Sequence, residues 1–397
     1  MTAPETRADA RLYFANRPFV HGFYAVTRRL GPVVRVPGIG TIVNDAEVAR
    51  AILATPAVFT SSGPGSFGIL ITEVLGPRAL INMDGAAHRN LKQELAEVFS
   101  PRYVAAVAGA AAGPRLAALD AALRAGKSVD FAAFMRDYGC AMACELIGLR
   151  LDPADEAAAF ADIFHLATEI MAFAGTAPRR LSLAQSSAAK ALAARLATHI
   201  AAGYARADAP PQSLTARLRD QGAAFETVRD MVTVVLVGAV ELIVYGLPRA
   251  LAVIIDSGSL PALQADPARL DAAIDEALRL TTPSNAILRS VAADHAIGRH
   301  RFRRGERVII AFRNILRDPA LFPGGDGFDM TRTNPLRRLV FGAGPHACLG
   351  AALTLAEMRQ VLGVVAALPS PLAIGARARN RGKLYPGYTR LDVRMIE

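Results

Sequence analysis

The sequence predicts a mainly helical protein with small β-sheets, and three observations carry that expectation. Apolar residues make up 52% of the 397-residue chain, with alanine abundant and tryptophan absent, a composition that favours helices. From Ala105 to Arg206, amphipathic helical runs alternate with short breaks. Strand-like runs are short and bounded by turn residues. No Pro/Ser/Gly-rich linker, low-complexity tract or repeat divides residues 1–397, so they are read as one domain. A chain this long buries about three quarters of its unfolded surface, enough for a closed interior pocket.

The elements follow in order. Met1 to Arg7 lack an apolar signal core, and no run of about eighteen apolar residues is expected further on. The most apolar stretch, Met231 to Ile243, is interrupted by Glu241. These features predict a soluble, cytoplasmic protein with no membrane partner. Val33-Val34-Arg35-Val36 and Thr41-Ile42-Val43 read as strands around the turn Pro37-Gly38-Ile39-Gly40. Asp45 then caps a helix over Glu47 to Ala54. Thr60 to Leu80 reads as a loop, yet it carries Phe67, Ile69, Leu70, Ile71, Val74 and Leu75. So apolar a loop is expected to pack over something.

The next helix starts near Asp84, and its four-residue spacing puts His88 and Lys92 on one face. A helix over Met135 to Leu149 carries Cys140 and Cys144, read as buried core rather than a metal pair. With Cys348 they are the only cysteines, which is no disulfide framework. The net charge of +10 comes with no zinc-finger spacing, basic recognition helix or basic-aromatic motif. Nucleic acid is therefore not expected, and the charge is assigned to surface arginines that can receive an acidic protein. Glu241 lies in an otherwise apolar helix, where a carboxylate is costly unless paired or protonated. It is either part of a proton relay or paired with an arginine. Pro248 is placed to kink the same helix.

The most informative stretch is Phe341-Gly342-Ala343-Gly344-Pro345-His346-Ala347-Cys348-Leu349-Gly350. It sets one cysteine in a glycine-rich turn just before an apolar, helix-forming run. Backbone N–H groups and a helix N-terminus both favour negative charge at that sulfur. The thiol pKa is accordingly expected to fall, favouring the metal-binding thiolate.

This stretch matches F-G-x-G-x-H-x-C-x-G, and the chain thereby resembles the cytochrome P450 family. Three further motifs in order extend the likeness from about Tyr24 to Tyr388: Asp84 to Lys92, Glu276-Ala277-Leu278-Arg279, and Arg317-Asp318-Pro319-Ala320-Leu321-Phe322-Pro323. The resemblance implies a triangular prism of helices around a buried haem b, with Cys348 as its axial iron ligand. It implies that His88, Lys92, Arg289 and His346 hold the propionates, and that Glu276 and Arg279 are structural. It places Phe67, Ile69, Leu70, Val234, Val237, Asn285 and Ile287 around the substrate, with Phe164 to Phe173 in a mobile lid. Those residues are mostly apolar, so a lipophilic small molecule is expected, with Ser284 and Asn285 able to orient one polar group.

The chain departs from the family pattern at three places. Lysine stands at position 92 for the usual arginine, keeping the charge without the bidentate fork. Gly327-Phe328-Asp329 lies where the family often has Arg-Phe-Asp, leaving Arg332 as a candidate substitute. Most consequentially, the central helix reads Val237-Gly238-Ala239-Val240-Glu241-Leu242. Gly238 and Glu241 match the family's catalytic segment, but Leu242 replaces the threonine that helps deliver protons to bound dioxygen. Loss of a positioned proton-transfer group typically costs about 10²–10⁴ in rate.

Several readings stay open at this point. One has the substrate supply its own hydroxyl or amine to a haem-thiolate monooxygenase. Another is peroxide-driven chemistry, or a non-oxidative dehydration or isomerisation. Slow, leaky hydroxylation is a further possibility, and a non-catalytic haem-binding or docking protein another. No flavin- or nicotinamide-binding glycine motif is fused to the chain. Electrons from NAD(P)H are therefore expected through a separate ferredoxin or flavodoxin, docking near Arg337, Arg338 and Cys348. Abundant alanine and arginine with little lysine point to a GC-rich bacterium and specialised metabolism.

Overall fold

The computed structural model describes residues 4–396, apart from 67, 77, 177–180 and 207. Two N-terminal helices, α1 (Pro4–Asn16) and α2 (Pro18–Leu30), precede strands β1 (Val33–Val36) and β2 (Gly40–Val43). Then come α3 (Ala46–Ala54), β3 (Phe59–Thr60), α4 (Gly68–Leu75), α5 (Gly85–Ala96) and α6 (Pro101–Arg124). The helical middle holds β4 (Val129–Asp130), α7 (Phe131–Ile147), α8 (Glu156–Thr176), α9 (Leu183–Ala205), α10 (Leu214–Asp220) and α11 (Phe225–Asp256). After α12 (Leu260–Ala265) and α13 (Leu270–Thr281) come β5 (Ile287–Val291), β6 (His295–Ile297), β7 (His300–Phe302) and β8 (Arg307–Ile310). The chain closes with α14 (Phe312–Ile315), α15 (Ala351–Ala366), β9 (Leu372–Arg379) and β10 (Tyr388–Met395).

Local chemistry explains the boundaries that matter for the site. Asp45 caps α3 by accepting from Val48 N at 2.8 Å, as its position before an amphipathic run predicts. Ser100 caps α6 through Tyr103 N, with Pro101 at the first helical position. Asp130 starts α7 by accepting from Ala132 N at 3.0 Å, and Gly148 at φ +81° ends it. The sheet β1-β2-β8-β5-β3 sets β5 antiparallel to β8, pairing Arg289 with Val308 and Ile287 with Ile310. A second sheet, β4-β10-β9, ends in the hairpin loop 380–387.

The interior is built around α11, which packs on α7, α8 and α13. Gly139 lets α7 approach it: a Cβ there would lie 3.0 Å from Ile243 Cγ2. Two expectations are corrected, and one lies outside the described residues. The stretch expected as loop from Thr60 to Leu80 contains α4, because Ile71, Val74 and Leu75 recur at helical spacing, with Ile71 and Leu75 buried. Phe67, and the side chains of Ile69 and Leu70, lie outside the described residues. Finally, α11 is long and apolar enough to cross a membrane by length and composition, despite Glu241. Of its most apolar window, 72% is buried inside the protein, the pattern of a core helix. The same helix continues through Pro248 without a break.

Candidate active site

The cysteine turn is assembled from two helical turns of 3₁₀ type and the start of α15. Cys348 N donates to Phe341 O at 2.8 Å, closing the loop. Gly344, at φ +68°, packs so closely on α3 that a Cβ would lie 2.3 Å from Leu53 O. Only glycine fits there, which accounts for that position of the motif. The sulfur faces an opening, since Cys348 is exposed, yet enough protein surrounds it to desolvate a charge. Burial raises the thiol pKa, opposed by the Gly350 N–H and the Lys92 ammonium. This corrects the sequence argument, in which the local dipoles alone were weighed: desolvation exceeds them in the protein by itself.

Beside this turn stands a group of basic side chains with one carboxylate among them. His88, buried on α5, lies against His346 with ring centroids 4.0 Å apart. Asp84 is the carboxylate of the group. It meets His346 Nε2 at 3.2 Å and accepts from Ser61 N, Ser62 N and Ser62 Oγ. The guanidinium of Arg289, 8% exposed on β5, makes one hydrogen bond among the described residues, to Leu288 O at 2.9 Å. Burial, then His346 and Lys92, push the His88 pKa down to about 4. Burial also lowers Arg289 to about 10, Asp84 opposing. Lys92 Nζ is committed differently, donating to Pro345 O at 2.6 Å and Ala347 O at 2.8 Å. It braces the cysteine turn against α5.

A second surface comes from α11, 20 of whose 32 residues are buried. Val234, Gly238, Leu242 and Gly246, at four-residue spacing, escape full burial, and Gly238 is exposed. A Cβ at Gly238 or Gly246 would meet nothing within 4 Å. One open stripe therefore runs along an otherwise packed helix, with Leu242 on it. Val237, expected on that stripe, turns into the core at 2% exposure. Ile287 and Asn285 are half-buried at the start of β5, and Asn285 Oδ1 is buried without a hydrogen-bond partner.

Glu241 is one residue off the stripe, fully buried, and neither carboxylate oxygen has a hydrogen-bond partner among the described residues. Burial raises its pKa well above the ordinary value; Lys383 and Arg17 act against the shift and Glu169 with it. Lys383 Nζ is paired with Glu169, whose other neighbour is His165 at 3.9 Å on the surface side. Tyr385, in the β9–β10 loop, has its pKa raised by burial and then by the Glu241 charge, with Ser284 opposing. Sequence reasoning missed Arg17, Glu169, Lys383 and Tyr385, because each is brought to the site by tertiary packing alone.

Glu276 and Arg279 form a closed knot. Arg279 Nη2 and Nε reach Glu276 Oε1 and Oε2 at 2.7 and 2.8 Å, a bidentate fork. Arg332 Nε adds a bond at 3.1 Å, taking the place of the missing third partner. Arg279 also donates to Leu316 O, Gly325 O and Gly327 O, fixing the segment that leads into the cysteine turn.

These features match a family. The cytochrome P450 profile covers residues 268–365, which include the knot, β5 and the cysteine turn. A cytochrome P450 of Amycolatopsis orientalis, 165B3, is 29% identical over 290 residues, covering 71% of this chain and 69% of that protein. The chain resembles the cytochrome P450 family. A putative cytochrome P450, 140, of Mycobacterium tuberculosis is 33% identical over 168 residues, 42% of this chain. The alignment spans 38% of that relative's length. Among solved structures, P450BioI in complex with an acyl carrier protein superposes with TM-score 0.81 at 20% identity, covering 98% and 100% of the two chains. CYP108D1 of Novosphingobium aromaticivorans gives TM-score 0.77 at 22% identity, covering both chains completely. The fold is that of the cytochrome P450 structures.

That likeness implies a haem, and the residues present fit one. An accessible thiol lies in a turn that only glycine can form. Beside it, burial depresses the pKa values of His88 and Arg289, a cost that a pair of propionates would offset. The open stripe of α11 gives a flat ring an apolar second surface.

Proposed function

We propose that this protein is a haem-thiolate monooxygenase of a lipophilic small molecule in bacterial specialised metabolism, working in the cytoplasm. The haem, when bound, supplies dioxygen activation; Cys348 would ligate its iron, and His88, His346 and Arg289 its propionates. The observation that carries the reading is the open α11 stripe with Leu242 on it and the partnerless acid Glu241 beside it. A collapsed stripe would have favoured a docking role without turnover. Glu241 holds a proton but has no side-chain alcohol next to it through which to pass it. A hydroxyl or amine of the substrate completes that path, positioned by the unsatisfied Asn285 Oδ1. Val234, Ile287 and Leu242 supply the apolar walls.

The electron source is a separate ferredoxin or flavodoxin, itself reduced by NAD(P)H. The surface that would receive it differs in detail from the sequence expectation. Arg337 and Arg338 both clamp the buried Asp275, at 2.9 and 3.1 Å. Arg337 is therefore a structural residue, whereas Arg338 remains 55% exposed. Arg89, exposed on the helix that carries His88 and Lys92, is the second docking cation. Arg89→Glu is expected to slow reduction and to weaken its salt dependence without loss of fold.

The deciding experiment is an absorbance titration of the ferric protein with paired ligands, each hydroxylated compound beside its deoxy analogue, followed by measurement of coupled turnover. The reading requires hydroxylated partners alone to support product formation without peroxide release. Equal coupling by the deoxy partners would overturn substrate assistance. Turnover with peroxide and none with the reductase would move the reaction to the peroxide-driven class.

A further inference from the structure

A cavity of about 740 Å³ opens between α1, α2 and α14, lined by none of the residues assigned above to the haem or substrate. We propose that it binds a small organic phosphate ester, gripped by Arg313 and Arg317 with Arg28 at the rim.

The argument begins with an imbalance of charge. Three buried arginines, Arg249, Arg313 and Arg317, converge on the single carboxylate of Asp9, itself 2% exposed. Arg249 takes Asp9 Oδ1 with both Nε and Nη2, at 3.0 and 2.8 Å. The other oxygen is left to Arg313 and Arg317, at 3.4 and 3.5 Å. The guanidinium of Arg313, a residue 6% exposed, has no other hydrogen bond among the described residues and lies 3.9 Å from the Tyr13 ring centroid. Arg317, 4% exposed, leaves Nε buried without a partner. Both line the cavity. Burial, and then Arg317, push the Arg313 pKa down to about 10, with Tyr13 and Asp9 opposing. A buried guanidinium fork with one long bond is a costly arrangement until an anion completes it.

Of the carboxylates lining the cavity, two are engaged elsewhere and the third already holds one arm of Arg317. Asp45 caps α3, Asp318 accepts from Ala320 N at 3.0 Å, and Asp326 meets Arg317 Nη1 at 3.1 Å. Arg317 Nη2 donates to Leu280 O at 2.6 Å, so that Nε is the arm left over. Arg28 Nη2 donates to Arg317 O at 2.5 Å, which brings a third guanidinium close to the pair. Planar forks of this kind match phosphate oxygens two at a time. A phosphate ester offers a dianion and three free oxygens, where a carboxylate has one charge and two oxygens. The volume lies in the range of small-molecule sites and exceeds what a bare phosphate fills. Tyr24, Ala10 and Ala25 provide apolar wall for the organic part.

The test is calorimetric titration of the whole haem-loaded protein with phenyl phosphate, inorganic phosphate and benzoate at matched ionic strength. Phenyl phosphate is expected to bind at one site, at least tenfold tighter than benzoate and tighter than inorganic phosphate, with no change in the haem spectrum. Arg313→Met should weaken it at least tenfold. Should that variant not fold, Arg28→Gln, at the half-exposed rim, should weaken binding severalfold, while Arg89→Ala on α5 should not. Absence of binding, equal affinity for benzoate, or wild-type affinity in Arg28→Gln and Arg313→Met would each overturn the site. Inorganic phosphate binding as tightly as the ester would remove the organic ligand from the proposal.

Discussion

Two glutamates of this protein are wholly buried and could hardly differ more. Glu276, on α13, is gripped by Arg279 through two bonds, by Arg332 through a third, and by the Asp329 N–H at 3.1 Å. Glu241, on α11, has no hydrogen bond at either oxygen among the described residues. Both lie at 0% exposure, so burial alone does not separate them. The satisfied acid is a fixture that ties the segment from Leu316 to Arg332 under the cysteine turn. The unsatisfied one is kept in its costly state beside an open stripe, where a ligand can complete it. A buried acid without partners marks a place where the fold has left something for chemistry.

The contrast predicts opposite responses to mutation. The largest effect belongs to Arg279→Met, which strands Glu276 as a buried charge. A cost of about 3–5 kcal/mol is expected, read as loss of soluble, haem-loaded protein or a collapse of the denaturation midpoint. Next, Leu242→Thr supplies the missing alcohol beside Glu241. Coupled turnover of deoxy ligands is expected to rise by about 10² or more, measured as product formed per electron delivered. Arg332→Ala removes one of three arms on Glu276 and should cost about 1.5 kcal/mol, a measurable shift with the fold retained.

Glu241→Gln should do the reverse of the knot variants. An acid whose folded pKa lies above its unfolded value of 4.5 holds a proton that the unfolded chain releases. Its contribution to stability is therefore lost progressively as pH rises above 4.5 toward the folded pKa. Glu241→Gln removes that dependence, so the variant should equal the wild type in acid and exceed it by about 1 kcal/mol near neutrality. Denaturant melts across that pH range check the sign. An Arg332→Ala effect as small as zero would loosen the contrast from the other side.

The sequence made the local parts of this comparison readable and hid the rest. Cys348 in its glycine turn, His88 on α5 and the Glu276–Arg279 pair are patterns of spacing, and spacing survives in a linear string. The departures at Leu242 and at the Arg332 position were also visible, because they are single residues within a pattern. What surrounds Glu241 was not. Arg17, Glu169 and Lys383 lie on α1's C-terminal boundary, α8 and the β9–β10 loop, and only packing unites them. The role of Arg337 was misread for the same reason: Asp275, its partner, lies on a helix distant in sequence. The thiol pKa was misjudged because local dipoles can be read from a turn, whereas desolvation depends on everything folded around it.

The most direct test of the account is the infrared difference spectrum of the haem-loaded protein near neutral pH, recorded with and without a hydroxylated ligand, for wild type and Glu241→Gln. A protonated-carboxyl band that is absent in Glu241→Gln, and that shifts when the ligand arrives, would show Glu241 holding its proton and meeting the substrate. A Glu241 that contributes only carboxylate bands, unmoved by ligand, would contradict it.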